Sequence, residues 1–212
     1  FTDIREDEGE KEVSSFSDCL KLLGTGSILL LFIGILMHVG IDVGINITAP
    51  KLLQERTGMS LESAAYATSI YFLFRTAGCL AGTFIMSRYS PVRFFLLSVL
   101  IILAGIAGML FFKNTILLHI CVGLVGFGNS NVFSIIFSGA LQTLPRKNNE
   151  ISALMVMGIS GGGVIPVIMG AASDSVATQA GAVAVLAVCA LYLLFLTSSL
   201  KKIYSGNELA GD

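Results

Sequence analysis

The sequence predicts an all-α membrane protein with six spanning helices, and two observations carry that prediction. Only 13% of the 212 residues are charged, against about 25% in an ordinary soluble domain, and the mean hydropathy is +0.84. The second observation is a set of six apolar segments, each close to the roughly 20 residues that a membrane-spanning helix needs. They run over about 26–49, 62–86, 92–112, 115–142, 151–173 and 177–200.

The two ends of the chain are polar and lie outside the predicted bundle of residues 26–200. Residues 1–25 are predicted to be an acidic cytoplasmic linker, because the first 21 residues hold seven acids and three bases. A secretory signal would instead begin with basic residues and then turn apolar. Because the chain begins at Phe1 and not at Met, we expect that it continues a longer protein. Residues 201–212 are predicted to form a cytoplasmic tail.

The first helix carries a polar stripe formed by His38, Asp42 and Asn46. A spacing of four residues places all three side chains near one face of the helix. An acid inside the bilayer costs at least about 2.5 kcal/mol on insertion scales, so such residues are functional candidates. We expect the stripe to line an aqueous cavity, with Asp42 binding substrate or a proton. The alternative is a buried Asp that bonds to a neighbouring helix.

The second helix contains Arg75 near its middle, the only Lys or Arg predicted to lie deep within the membrane. Counted from the outer ends of their helices, Arg75 and Asp42 are offset by roughly 9 Å at the 1.5 Å rise of an α-helix. Three interpretations stay open for Arg75. It pairs with Asp42, it bonds free carbonyls at a helix bend as a structural or gating residue, or it contacts substrate hydroxyls.

The third helix is the plainest of the six, because no charged residue occurs between Phe94 and Phe112. The fourth helix is the most polar, and Asn129 and Asn131 offer paired donors and acceptors that suit a hydroxyl-rich ligand such as a sugar. Its serines recur every four residues, which is typical of close helix packing. They are Ser130, Ser134 and Ser138.

The fifth helix is rich in glycine, and Gly161, Gly162 and Pro166 predict a hinge or a close helix approach. The same helix contains a GxSG sequence at residues 158–161, which intramembrane serine proteases use. A nucleophilic serine needs a base, yet neither histidine of the chain follows Ser160. A protease therefore remains only a distant alternative, and we expect the chain not to be an enzyme.

Loop charge predicts the orientation, since Lys and Arg concentrate in cytoplasmic loops. Nine such residues fall on the side of the two termini, three fall on the other side, and the thirteenth is Arg75. Both termini are therefore expected in the cytoplasm. Two termini on one side require an even number of spans, which supports the count of six. A net charge of −1 argues against nucleic acid as a partner. The four cysteines are scattered singly, so neither a metal site nor a disulfide framework is expected.

Four stretches together resemble the carboxyl-terminal half of sugar permeases of the major facilitator superfamily, in the fucose and glucose/galactose permease group. The resemblance covers about residues 26–200. The stretches are 38–45 (HVGIDVGI), 82–93 (GTFIMSRYSPVR), 126–138 (GFGNSNVFSIIFS) and 153–174 (ALMVMGISGGGVIPVIMGAASD). The chain departs from the pattern of the group at His38, Ser134 and Ser87, where an aromatic residue, a proline and an acid are common.

The resemblance implies one half of a twelve-helix transporter that moves a monosaccharide by proton-coupled symport with alternating access. The implied partners are a sugar, protons, the lipid bilayer and an amino-terminal six-helix half, and no cofactor or metal is implied. The implied location is the bacterial inner (plasma) membrane. Carried over, Asp42, Asn129 and Asn131 fall on substrate-binding helices, while Arg88 and Arg93 match a cytoplasmic gate loop. A permease for another solute, such as a drug or an organic anion, is the alternative.

Overall fold

Six helical spans dominate the computed structural model, which describes residues 16–208, with side chains described for residues 16–205. The prediction of an all-α protein with six spans is confirmed, and the described residues contain no β-strand. We number the spans 1 to 6 in chain order. Their bounds are Gly26–Thr57, Leu61–Met86, Pro91–Phe111, Thr115–Thr143, Pro145–Val176 and Ala180–Ser205.

Span 1 is longer than the segment of residues 26–49 that hydropathy marks out. The helix passes through Pro50 and continues to Thr57. Gly58 then ends it in the left-handed conformation at φ 70°, where its N–H donates to the carbonyl of Gln54. Such a conformation is tolerated by glycine because it has no Cβ.

Three of the spans contain breaks. Span 2 consists of Leu61–Ala64 and Tyr66–Met86. Span 4 consists of Thr115–Asn129 and Val132–Thr143, so its break follows Asn129 and includes Asn131. Span 5 consists of two short 3-10 turns and two α-helices. They are Pro145–Lys147, Asn148–Met157, Gly158–Ser160 and Gly161–Val176.

The polar ends are partly helical. A short helix, Phe16–Lys21, and a 3-10 turn, Leu22–Gly24, precede span 1. Residues 1–15 of the predicted linker lie outside the described residues. The helix of span 6 runs to Glu208, so it includes most of the predicted tail, and residues 209–212 lie outside the described part of the chain.

The packing of the spans follows an internal repeat. Span 1 packs against spans 5 and 6, span 4 packs against spans 2 and 3, and span 3 meets span 6. If spans 1, 2 and 3 are matched with spans 4, 5 and 6, the contacts of span 1 with spans 5 and 6 correspond to the contacts of span 4 with spans 2 and 3. Because three is odd, the second set runs through the membrane in the opposite direction, which is an inverted repeat.

Glycines let the central spans approach closely. A Cβ on Gly161 would overlap the carbonyl oxygen of Leu36 on span 1, and a Cβ on Gly126 would overlap the carbonyl oxygen of Tyr71 on span 2. Small residues at such contacts are a common basis of helix association in membranes. The two contacts bring span 5 to span 1 and span 4 to span 2, close to the polar side chains described next.

Candidate functional site

An ion pair joins spans 1 and 2 inside the bundle. Arg75 Nη1 donates to both carboxylate oxygens of Asp42, at 2.8 Å each. The side chain of Asp42 is 19% exposed and that of Arg75 is 29% exposed. The pair is therefore shielded over most of its surface, and a fraction of each side chain stays accessible.

Tyr71 extends this pair toward span 4. It lies four residues before Arg75, one turn away, and its side chain is fully buried. Its hydroxyl donates to Asp42 Oδ1 at 2.5 Å, and Asn129 Nδ2 donates to the same hydroxyl oxygen at 3.0 Å. The hydroxyl of Tyr71 thus donates one hydrogen bond and accepts another.

His38 completes the arrangement, because its Nδ1 lies 2.9 Å from Asn129 Oδ1. An ionised carboxylate only accepts hydrogen bonds, so the proton of Tyr71 is directed to Asp42. Asn129 must then donate to Tyr71 with its amino group, which leaves its carbonyl to accept from His38. His38 therefore carries a proton on Nδ1, an assignment that follows from the network.

We call these five residues the polar chain: Arg75, Asp42, Tyr71, Asn129 and His38. It connects spans 1, 2 and 4. In this low-dielectric setting, a polar group that lost its partner in the polar chain would be left unpaired, which costs free energy. Its formal charges cancel, because one guanidinium faces one carboxylate. Removing either charge would leave the other without its partner, which is costly.

The polar chain retains capacity for a ligand. Asp42 Oδ2 accepts only from Arg75, and Arg75 Nη2 and Nε have no partner among the described residues. A carboxylate offers about four acceptor sites and a guanidinium offers five donors. The site can therefore accept a hydrogen bond from a ligand hydroxyl at Asp42 and donate one to a ligand oxygen from Arg75.

Asn46 lies on the predicted stripe but is not joined to the polar chain. Its Nδ2 donates to the backbone carbonyl of Asp42 at 2.7 Å, within span 1. Its Oδ1 is buried and has no partner among the described residues. Two members of the predicted stripe, His38 and Asp42, thus belong to the polar chain, whereas Asn46 does not. A substrate-binding role for Asn46 stays a prediction.

Asn131 points to span 2 and not to the polar chain. Its Nδ2 donates to the carbonyl of Gly78 at 2.9 Å and to Ser130 Oγ at 2.8 Å. A Cβ on Gly82 would overlap the Asn131 amide, so the contact is tight. This geometry gives Asn131 a packing role at the break of span 4, and its predicted role in substrate binding stays a prediction.

The predicted gating residues lie in two places. Arg88 and Arg93 are exposed at the end of span 2 and the start of span 3, and among the described side chains no carboxylate pairs with either. Gly161 and Gly162 face span 1, where a Cβ on Gly162 would approach Val43. Pro166 lies within the last helix of span 5. The glycine-rich part of span 5 therefore packs beside the residue that follows Asp42.

The arrangement does not provide a serine nucleophile with a base. Ser160 is exposed in the 3-10 turn of span 5. His38 is occupied by Asn129, and His119 Nδ1 lies 2.8 Å from the carbonyl of Thr115 in its own helix. Within residues 16–208, no group of three His, Cys, Asp or Glu residues is placed to hold a metal ion.

Tyr71 is the member of the polar chain that sequence reasoning missed. A tyrosine in an apolar helix usually indicates packing or an interfacial position. The available signal was its position one turn before Arg75, on the same face of the helix.

Known proteins similar to this chain are transporters. A glucose/galactose transporter of Brucella abortus is 30% identical over 189 residues, which cover 82% of this chain and 42% of that protein. A Helicobacter pylori protein named as a candidate glucose/galactose transporter is 29% identical over 167 residues, covering 77% and 41%. No family model matches the chain.

Two solved structures share the fold. A variant of the E. coli fucose:proton symporter FucP superposes with a TM-score of 0.80 and 23% identity, covering 88% of this chain and 46% of that one. FucP in the outward conformation, described as a major facilitator superfamily transporter, gives 0.75 and 22%, covering 88% and 45%. The chain thus spans less than half the length of each protein named above. The relatives are named as transporters, which agrees with the expectation that the chain is not an enzyme.

Proposed function

We propose that this chain, which has the fold of one six-helix half of a major facilitator transporter, is the carboxyl-terminal half of a proton-coupled monosaccharide permease. The observation that carries the proposal is the polar chain, an ion pair extended by neutral donors and acceptors inside an apolar bundle. Such groups are expensive in a membrane and mark substrate or proton pathways.

The chemistry of the polar chain favours a sugar over an ion as the substrate. The charges of Asp42 and Arg75 neutralise each other, so the site offers no net attraction to an anion or a cation. The remaining capacity of Asp42 Oδ2 and Arg75 Nη2 suits hydroxyl groups, which donate and accept. The relatives named for glucose and galactose transport support the same substrate class.

Proton coupling follows from the dependence of the polar chain on the charge of Asp42. Protonation would remove the negative charge that holds Arg75 and would weaken the acceptor of Tyr71. Spans 1 and 2 would then lose their direct polar link, and the glycine-rich part of span 5 beside span 1 offers a place to move. The fucose:proton symporter with the same fold supports a proton as the coupling ion.

The other half of the permease would cover the least buried spans. Span 2 and span 5 are the two spans with the smallest buried share, and the relatives are about twice as long as this chain. Alternating access would arise from rocking of the two halves around a midplane site. We place the protein in the bacterial inner membrane with both termini of this chain in the cytoplasm, because of the bias in loop charge.

The test is separate and joint expression of the two halves of the full-length parent protein. This chain alone is expected to insert but not to transport sugar, and uptake is expected to recover when the upstream half is supplied. The joint expression is repeated with Asp42→Asn in this chain, which should reduce the recovery. Uptake by this chain alone would contradict the assignment as a half-transporter. Covalent labelling of Ser160 by a fluorophosphonate would support the protease alternative instead.

A further inference from the structure

A cavity that shares no residue with the polar chain lies between the start of span 3 and the end of span 6. Its volume is about 440 Å³, and its lining includes Arg93, Lys201, Ser90 and Tyr204. Span 3 begins at Pro91, and the apolar stretch of span 6 ends at Leu200, directly before Lys201 and Lys202. The cavity therefore lies at the membrane surface on the side of the two chain termini.

The two cations of this cavity have no ionic partner. Among the side chains of residues 16–205, ion pairs involve only Lys21 with Asp18 and Arg75 with Asp42. Arg93 and Lys201 are both exposed. Two uncompensated positive charges from different spans thus converge on one cavity, where they favour an anion.

The N-terminal end of the helix of span 3 borders the cavity. Ser90, at the N-terminal end of this helix, makes no side-chain capping bond, and Pro91 has no N–H of its own. The first N–H groups of a helix have no intrahelical partner and favour negative charge. Tyr204 closes the inner wall, because its hydroxyl donates to the carbonyl of Ile135 on span 4 at 3.1 Å.

An apolar strip leads away from the cavity toward the middle of the membrane. Leu96 lines the cavity, and Leu100 lies one turn further along span 3. Leu96 is 37% exposed and Leu100 is 47% exposed, so the strip is free to contact hydrocarbon. The combination of a basic cavity at headgroup depth and an apolar strip beneath it matches the two parts of a phospholipid.

We propose that the cavity between spans 3 and 6 binds the phosphate of an anionic phospholipid, with Arg93 and Lys201 as its cationic contacts. The acyl chains would lie along the strip of Leu96 and Leu100. Basic pockets between membrane helices are known to bind anionic headgroups, with about 1 kcal/mol for each Lys or Arg near the membrane surface. The site shares no residue with the polar chain.

The experiment is native mass spectrometry of the chain released from micelles that contain equal amounts of phosphatidylglycerol and phosphatidylcholine with identical acyl chains. Retained phosphatidylglycerol should exceed phosphatidylcholine for the unmodified chain. The double variant Arg93→Gln with Lys201→Gln should reduce that excess on the order of tenfold. The matched control is Arg88→Gln with Lys202→Gln. It removes the same charge near the ends of spans 2 and 6 on the same side of the membrane, from residues outside the cavity. This control should keep the excess.

Two results would overturn the proposal. An equal loss in both double variants would mean that surface charge in general, and not the cavity, retains the lipid. Competition by glycerol phosphate at the same concentration as the lipid would mean that the cavity takes a free phosphate and that the apolar strip contributes nothing. Circular dichroism of each variant confirms that its helices are intact before the comparison is made.

Discussion

Arg75 contacts both carboxylate oxygens of Asp42 through a single nitrogen, Nη1, which leaves its remaining nitrogens without partners among the described residues. The pair therefore joins spans 1 and 2 and still leaves donors of Arg75 available to a ligand. A structural ion pair would more often use the bidentate geometry of the guanidinium, with two nitrogens on two oxygens. The one-nitrogen contact suits a pair that also binds a ligand and separates during the transport cycle.

Removal of either charge is expected to destabilise the protein more than removal of both. Asp42→Asn and Arg75→Gln should each cost roughly 2 kcal/mol of stability, because each leaves an unpaired charge in a partly shielded site. The double variant should cost less than either single variant, because it leaves no unpaired charge. Thermal unfolding in detergent measures the three values as a double-mutant cycle. Additive losses would argue that the two residues act separately.

The hydroxyl of Tyr71 is expected to matter for transport beyond its effect on stability. Tyr71→Phe removes a donor from Asp42 and an acceptor from Asn129, which should cost about 1 kcal/mol and lower sugar uptake by the full-length parent. Tyr192→Phe is the matched control, since it also removes a partly buried hydrogen bond between spans, to the carbonyl of Leu30 at 3.0 Å. Similar uptake in both variants would contradict a role for the polar chain.

The pH dependence of uptake should disappear with the carboxylate of Asp42. If Asp42 takes part in proton coupling, uptake by the unmodified parent should rise as the outer pH falls from about 8 to about 5.5, because the inward proton gradient that drives symport grows. Asp42→Asn cannot be ionised and should show a flat profile. The measurement is the initial rate of uptake against pH. A flat profile for the unmodified protein would exclude this role of Asp42.

The contact between spans 5 and 1 should tolerate no side chain at Gly161. Gly161→Ala would place a Cβ on the carbonyl of Leu36, and overpacking of this kind costs about 1–3 kcal/mol. Gly163→Ala is the control, because nothing lies within 4 Å of its added Cβ, and stability there should be unchanged or slightly higher. Thermal unfolding compares the two variants. Equal stability of the two would mean that spans 1 and 5 do not pack closely at Gly161.

The six spans could be predicted from sequence because apolar length alone identifies a membrane-spanning helix. The end of span 1 could not be predicted from sequence, because hydropathy marks where the membrane ends and not where the helix ends. The helix continues after Pro50 through polar residues to Thr57. A proline inside a membrane helix is tolerated when neighbouring groups satisfy the backbone.

The candidate site was predictable only in part. Asp42, Asn129 and His38 stand out because polar residues are rare in apolar helices. The pairing with Arg75 could not be decided from an axial offset of roughly 9 Å, since that estimate omits helix tilt and the reach of a long side chain. Asn129 and Asn131 look equivalent in composition, yet residues two apart in a helix face nearly opposite directions, and the structure places Asn129 against Tyr71 and Asn131 against Gly78.

The most direct test of the proposed function is uptake of radiolabelled L-fucose, glucose and galactose by vesicles that contain the full-length parent protein. The assay is run with and without an inwardly directed proton gradient. Accumulation of one sugar that collapses when a protonophore is added is the predicted result. Absence of uptake for all three sugars, with the protein shown to be folded and inserted, would contradict it and would favour a permease for a different solute on the same fold.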